Sequence, residues 1–151
     1  MKVIIHCSDS KFGNAALIAK WHVMPKPNGN GWDNIGYHYV ILNGHLSSKA
    51  FNQKFDGHLE TGRPLDEDNL IEPFEIGAHT KGFNNAVGVC LVGHSGVFTS
   101  YQLDSLHSLL DDLKKQFGTL ELFQHSDLDS KKPNCAGLEK FYFGELKKIY
   151  E

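Results

Sequence analysis

The most continuous apolar run in the chain, Val87-Gly88-Val89-Cys90-Leu91-Val92, does not alternate with polar residues. A strand of that kind must be covered on both faces, which requires a sheet with helices packed on either side. Other β-rich segments surround it: Lys2-Val3-Ile4-Ile5-His6-Cys7, then 37–42 with Tyr37 at its entrance, then 119–124, which delivers His125. Asn43-Gly44 reads as a turn closing the second of these, Asp56-Gly57 as a further turn, and 43–54 as a surface insertion between strands.

Helices fill the gaps. Ala15, Leu17, Ile18 and Trp21 predict a short helix over 14–23 that Pro25 and Pro27 stop, and 25–36 is loop chemistry throughout. Thr99 with Gln102 three residues on has the spacing of a capping box. Leu103, Leu106, Leu109, Leu110, Leu113 and Phe117 then follow at helical spacing to Gly118, a natural C-cap. Residues 138–150 form a second amphipathic helix after a polar stretch at 62–72 and the strands. Together these define one α/β domain spanning 1–151, a mixed central β-sheet flanked by helices.

Charge narrows the partners. The 15 Lys+Arg against 18 Asp+Glu leave a net charge of −3, and Arg63 is the one arginine, so the chain has no broad positive field and no guanidinium cluster for nucleic acid. No apolar run reaches the ~18 to 20 residues of a membrane span, so no membrane insertion is expected, and no signal segment is visible. The expected place of synthesis is the cytoplasm. Cys7, Cys90 and Cys135 are an odd, widely spaced set better read as reduced thiols than as a disulfide framework. Nine histidines in 151 residues make a metal site worth seeking.

His6 and His125 each follow a strand, and Cys135 lies in the loop ten residues after His125. Two imidazoles and a thiolate are a known open zinc set, although spacing alone is not diagnostic. The absence of Cys-x-x-Cys argues against a closed structural zinc.

Four segments, in order, carry a resemblance. They are Val3-Ile4-Ile5-His6-Cys7-Ser8; Gly31-Trp32 with Ile35-Gly36-Tyr37-His38-Tyr39; Gly77-Ala78-His79-Thr80-Lys81-Gly82-Phe83-Asn84 with the run at 87–93; and His125-Ser126-Asp127-Leu128 continuing to Lys132-Pro133-Asn134-Cys135. Across nearly the whole chain these resemble the zinc-dependent N-acetylmuramoyl-L-alanine amidases of the type 2 family, which includes phage endolysins and is related to the peptidoglycan-recognition proteins. The resemblance implies one catalytic zinc held by His6, His125 and Cys135 in a cleft at one edge or end of the sheet. It implies a catalytic tyrosine, Tyr37, and a lysine shortly before the cysteine; the loop offers Lys131 and Lys132, of which Lys132 is the assignment. It implies that His38, His79 and Asn84 line the substrate cleft. Zinc in such a site lowers the pKa of its water toward ~7, while Tyr37 and Lys132 suit the developing oxyanion. Which of the two moves the proton is not decided by sequence.

The implied function is a peptidoglycan hydrolase that cuts the amide between N-acetylmuramic acid and L-alanine. A phage or prophage endolysin of this kind is a monomer that reaches the wall after holin-mediated release or lysis. The rival is a non-catalytic module that binds peptidoglycan or inhibits a phage-type RNA polymerase. Recognition members typically lack the cysteine ligand, and Cys135 is present. A glycosidase would need two carboxylates about a cleft, which no motif positions. Cys7 and Cys90 read as small buried hydrophobes. His22, His45, His58, His94 and His107 read as solvated or packing residues, Trp21 as core and Trp32 as a cleft-edge aromatic.

Overall fold

The apolar run forms β4 (Val87–Leu91), every residue of which is buried. In the computed structural model, which describes residues 1–63, 65–66, 68 and 70–151, β4 is the middle strand of a five-stranded sheet. It lies parallel to and between β1 (Lys2–Cys7) and β2 (Tyr39–Ser47). One edge is β3 (Ala50–Thr61), antiparallel to β2; the other is β5 (Glu121–Gln124), parallel to β1. The sheet is mixed, as expected, with its fully buried strand at the centre.

Alternation along the strands sorts the core into two layers. Val3, Ile5, Val87, Val89, Leu91 and Leu122 pack with α2 (Ser100–Phe117) and α4 (Lys140–Tyr150) through Leu106, Leu110, Leu113, Phe143 and Leu146. Val40, Leu42, Cys90 and Val92 pack with Ile18 of α1 (Ala15–Val23) on the opposite face. His6 pairs in register with Cys90, so its side chain shares the α1 face. A histidine is thereby planted at the C-terminal end of a central strand, where an apolar residue would otherwise continue the layer.

The helix ends follow their local chemistry. Asn14 Oδ1 accepts the Leu17 N–H at 2.8 Å, and Thr99 with Gln102 forms the expected capping box. A cap of this kind is worth about 1 kcal/mol. Gln102 is also fully buried, and its amide donates to the carbonyls of Ile41 and Val92 at 3.0 and 2.8 Å, tying α2 to the ends of β2 and β4.

Two expectations are overturned. Residues 43–54 are not an insertion: β2 runs on to Ser47 and β3 begins at Ala50, so they are the arms of a long hairpin. The expected strand at 37–42 accordingly starts later, at Tyr39, and ends later. Asn43-Gly44 and Asp56-Gly57 do not reverse the chain. Asn43 lies opposite Asp56, and the two glycines, with φ of 85° and 80°, sit where the ladder slips register. A bulge and a tight turn both need positive φ, which is why the same dipeptides serve either. The polar stretch at 62–72 lies partly outside the described residues. Among the described residues no helix is long and apolar enough to cross a membrane.

Candidate metal centre

The parallel neighbours β1 and β5 end on the same side of the sheet, and their register delivers the two histidines together. His6 is the penultimate residue of β1. Past Gln124, the last residue of β5, His125 opens the single-turn helix α3 (His125–Leu128) rather than extending the strand. The following loop then folds back. Ser126 N–H donates to the Cys135 carbonyl at 2.6 Å and Cys135 N–H to that of Lys132 at 3.2 Å. One donor atom each from His6, His125 and Cys135 then lies within 4.8 Å of the others.

Hydrogen bonding assigns the protons on these rings. The His79 Nε2 is 3.0 Å from the Ala86 carbonyl, an acceptor only, so the proton of His79 is on Nε2 and its Nδ1 accepts. That Nδ1 is 3.0 Å from His6 Nε2, which therefore donates. His6 Nδ1 is left with a bare lone pair, 3.1 Å from His125 Nδ1. The far nitrogen of His125 faces the Asp129 carboxylate, 3.7 Å away, which favours the proton there and a second lone pair on Nδ1. With the proton there the two Nδ1 lone pairs face each other, as two donors to one cation do; with it on Nδ1, His125 donates to His6 Nδ1 instead. A tetrahedral zinc, with Zn–N of about 2.0–2.1 Å, holds two nitrogens about 3.3 Å apart, so the residues present fit such an ion.

Electrostatics agree with that fit. Burial, then the neighbouring His79 and His125, hold the pKa of His6 well below its ordinary value, and burial also lowers that of His125. Both rings are neutral at pH 7 and free to ligate. Cys7 N–H donates to Cys135 Sγ at 3.3 Å, a contact that favours a thiolate. The bond with the Cys7 side chain, then burial, push the Cys135 thiol up in the absence of an ion. Loading a metal at Cys135 therefore releases a proton.

The cluster opens into a cavity of about 670 Å³ lined by Tyr37, His79, His125, Lys131, Lys132 and Cys135, with His22 and Trp32 among its other residues. The Tyr37 ring is half-buried, 5.0 Å from that of His6. Burial, then the nearby thiols of Cys90, Cys135 and Cys7, raise its pKa well above the ordinary value. A phenol that keeps its proton can donate a hydrogen bond into the cavity. Lys131 and Lys132 both reach the cavity. The charge of Lys132 acts on His125, whereas the Lys131 backbone N–H is bound to Asp129 Oδ1 at 2.9 Å.

Two expected cleft residues do not line the cavity. His38 is fully buried: its Nδ1 accepts the Gly88 N–H at 2.9 Å and its Nε2 bonds the Glu75 carbonyl, so both nitrogens are consumed by backbone. Asn84 instead holds His79 in place, its Oδ1 accepting the N–H groups of His79 and Thr80, each at 2.9 Å. His79 does line the cavity, with its ring against β4 where a Cβ at Gly88 would lie 2.6 Å from it. Trp32 is at the cleft edge, 38% exposed. His22, expected to be solvated or packing, is a wall residue with its ring 4.8 Å from Trp32 and 5.4 Å from Tyr37. The signal was present: His22 is four residues after Ile18, the buried residue of α1, and so shares its face. Asp129 stands in the same relation to His125.

Known proteins agree with this architecture. No protein-family model matches the chain. An endolysin of Klebsiella phage KP32 is 32% identical over 152 residues, covering 93% of this chain and 84% of its own length. An endolysin of Enterobacteria phage T3 is 32% identical over 151 residues, covering 93% and 83%. Among solved structures, the N-acetylmuramoyl-L-alanine amidase LysC from Clostridium intestinale URNW superposes with a TM-score of 0.72 at 24% identity, covering 98% of this chain and 83% of that one. By sequence the chain belongs to the phage endolysin family, and it carries the fold of an N-acetylmuramoyl-L-alanine amidase.

Proposed function

We propose that this endolysin hydrolyses the amide between N-acetylmuramic acid and the L-alanine of the peptidoglycan stem peptide, with one zinc ion held by His6, His125 and Cys135. The observation that carries the reading is the convergence of two imidazole nitrogens, 3.1 Å apart, and a thiol beside an open cavity. Three protein donors leave a fourth tetrahedral position open, the pattern of catalytic rather than structural zinc. Held by these residues, zinc would supply a Lewis acid able to bring the pKa of a water to about 7 and to polarise the scissile carbonyl.

The chain's own side chains divide the remaining work. Tyr37 keeps its proton and donates to the oxygen that gains charge as the carbonyl becomes tetrahedral; a donor in that role is worth about a hundredfold or more in kcat. Lys132 brings a positive charge to the same wall. His79 holds the His6 ring in the tautomer that aims Nδ1 at the site. The exposed face of Trp32 offers an apolar surface for a sugar ring at the mouth. As in an endolysin generally, the wall is reached only after release from the cell interior.

The test follows two products at once. Purified protein is incubated with peptidoglycan, with and without chelator, while new L-alanine amino groups and new reducing sugar ends are counted. Amino groups should appear without reducing ends, vanish with chelator and return with zinc. Reducing ends instead would make the protein a glycosidase, and no release with zinc bound would make it a binding module.

A further inference from the structure

The hydrolytic reading leaves the one carboxylate of the described cavity wall without a task. Asp9 is the only carboxylate among the described residues that line the cavity, against the two ammonium groups of Lys131 and Lys132. Its placement is deliberate in backbone terms. Asp9 has φ of 53°, the one positive value among the described non-glycine residues. Aspartate and asparagine tolerate that region far better than bulkier side chains. Around it, Ser8 Oγ accepts the Gly93 N–H at 3.0 Å and so draws in the loop after β4. That brings His94 Nδ1 to 3.1 Å from Asp9 Oδ1. The Asp9 side chain nevertheless remains 85% exposed. A carboxylate is thus held at a defined point on the wall and left open to a ligand.

We propose that Asp9 is a specificity-determining residue that binds the side-chain ammonium of the diamino acid at the third position of the stem peptide; this rests on the amidase reading above. The peptide beyond the scissile bond carries several carboxylates and one free amine. The carboxylates can meet Lys131 and Lys132, whereas Asp9 is the one anionic partner for the amine among the described residues of the cavity. The reach is suitable. Asp9 is three peptide steps from His6, a span of at most about 11 Å. The amine lies two residues and a side chain beyond the bond being cut, a distance of similar size. The contact replaces solvent on an exposed carboxylate, so it selects substrates by a modest factor and contributes nothing to the chemistry itself.

The test uses two synthetic muramyl tripeptides that differ only at the third residue, one with its side-chain amine free and one acetylated there. The free amine should give about fivefold higher kcat/KM through a lower KM, the scale of one exposed ion pair. Asp9→Asn, which keeps the side-chain shape and tolerates the same backbone conformation, should bring that ratio to about one. A ratio near one in the unaltered protein, or one that Asp9→Asn leaves in place, overturns the assignment. Calorimetric binding of the same two peptides separates the two readings. Tighter, Asp9-dependent binding of the free amine without cleavage would defeat the amidase and keep the subsite, while cleavage of both peptides without preference would do the reverse.

Discussion

Within the donor cluster, His6 belongs to the sheet and His125 and Cys135 belong to a loop. β1 is paired on both sides, by β4 and β5, and His6 is 1% exposed with its ring held through His79 to the Ala86 carbonyl. His125 opens a helix of four residues, a length that cannot hold itself together in water. Its turn is capped by its own Asp127, which accepts the Gln124 N–H at 2.8 Å, and is held from outside by Cys135 through Ser126 and by Gly96 N–H bonding the Ala136 carbonyl at 3.1 Å. The sheet half is finished before any ion arrives; the loop half has donors but little core. A bound ion would staple the second to the first, and its free energy is then spent on ordering residues 125–136.

The largest effect expected from this difference is that of Cys135→Ser. A serine hydroxyl stays protonated near neutrality and is a poor substitute for thiolate, so bound zinc should fall well below one per chain and hydrolysis by more than about a hundredfold. The sharper readout is hydrogen exchange. Amides of 125–136 should lose protection, as they should in the chelated protein, while those of β1 and β4 keep theirs. Equal loss in β1 would mean that the sheet half also depends on the ion, and the contrast drawn above would collapse.

A smaller effect separates the supports behind the two histidines. His79→Phe keeps a ring beside Gly88 but leaves the buried His6 Nε2–H only the longer contact with Thr80 Oγ1 at 3.4 Å. Metal affinity should drop about 10- to 100-fold, with about 1–3 kcal/mol lost from stability. Asp129→Asn should cost less of both, because that carboxylate lies 3.7 Å from His125 and is 33% exposed. A competition titration against a chelator measures both variants. If Asp129→Asn proved the more damaging, the loop half rather than the sheet half would be setting the geometry of the site.

These residues also mark how far the sequence could be read. β4, the capping box at Thr99 and Gln102, and α2 were legible because each rests on a period or a cap carried by adjacent residues. The convergence of His6, His125 and Cys135 was legible because ligand chemistry limits the residue types and the family pattern supplies the order. Asn43-Gly44 was not, since positive φ serves a bulge as well as a turn and only the pairing of β2 with β3 decides between them. The places of His38, behind the cavity wall, and His22, on it, were not legible for a related reason. The first sits beside Tyr37 in sequence but spends both nitrogens on backbone groups of Gly88 and Glu75, contacts 50 and 37 residues away. Hydrogen bonds over that range leave no local trace.

The smallest effect is expected at His22, which stands in the cavity wall yet belongs to neither half of the cluster. Its Nδ1 accepts the Gly36 N–H at 2.9 Å, and burial, then the charge of Arg63, lowers its pKa to about 4. In the unfolded chain the same ring titrates near 6.5. Between those values the unfolded state binds more protons, so the contribution of this site to stability is complete above about pH 6.5 and declines as the pH falls toward 4. His22→Gln should remove that slope, and the difference in unfolding free energy between the two proteins, followed from pH 7 to 4, isolates it from the other buried histidines. The ring proton resonances of His22 should stay those of neutral imidazole to below pH 5. Because α1 and its Asn14 cap owe nothing to the ion, chelation should raise the pKa of this ring only by the charge it removes from the cavity and leave the hydrogen-exchange protection of α1 unchanged. Loss of that protection on chelation would show that the wall moves with the loop, and that the division between a finished sheet and a stapled loop extends further around the cavity than the donor cluster itself.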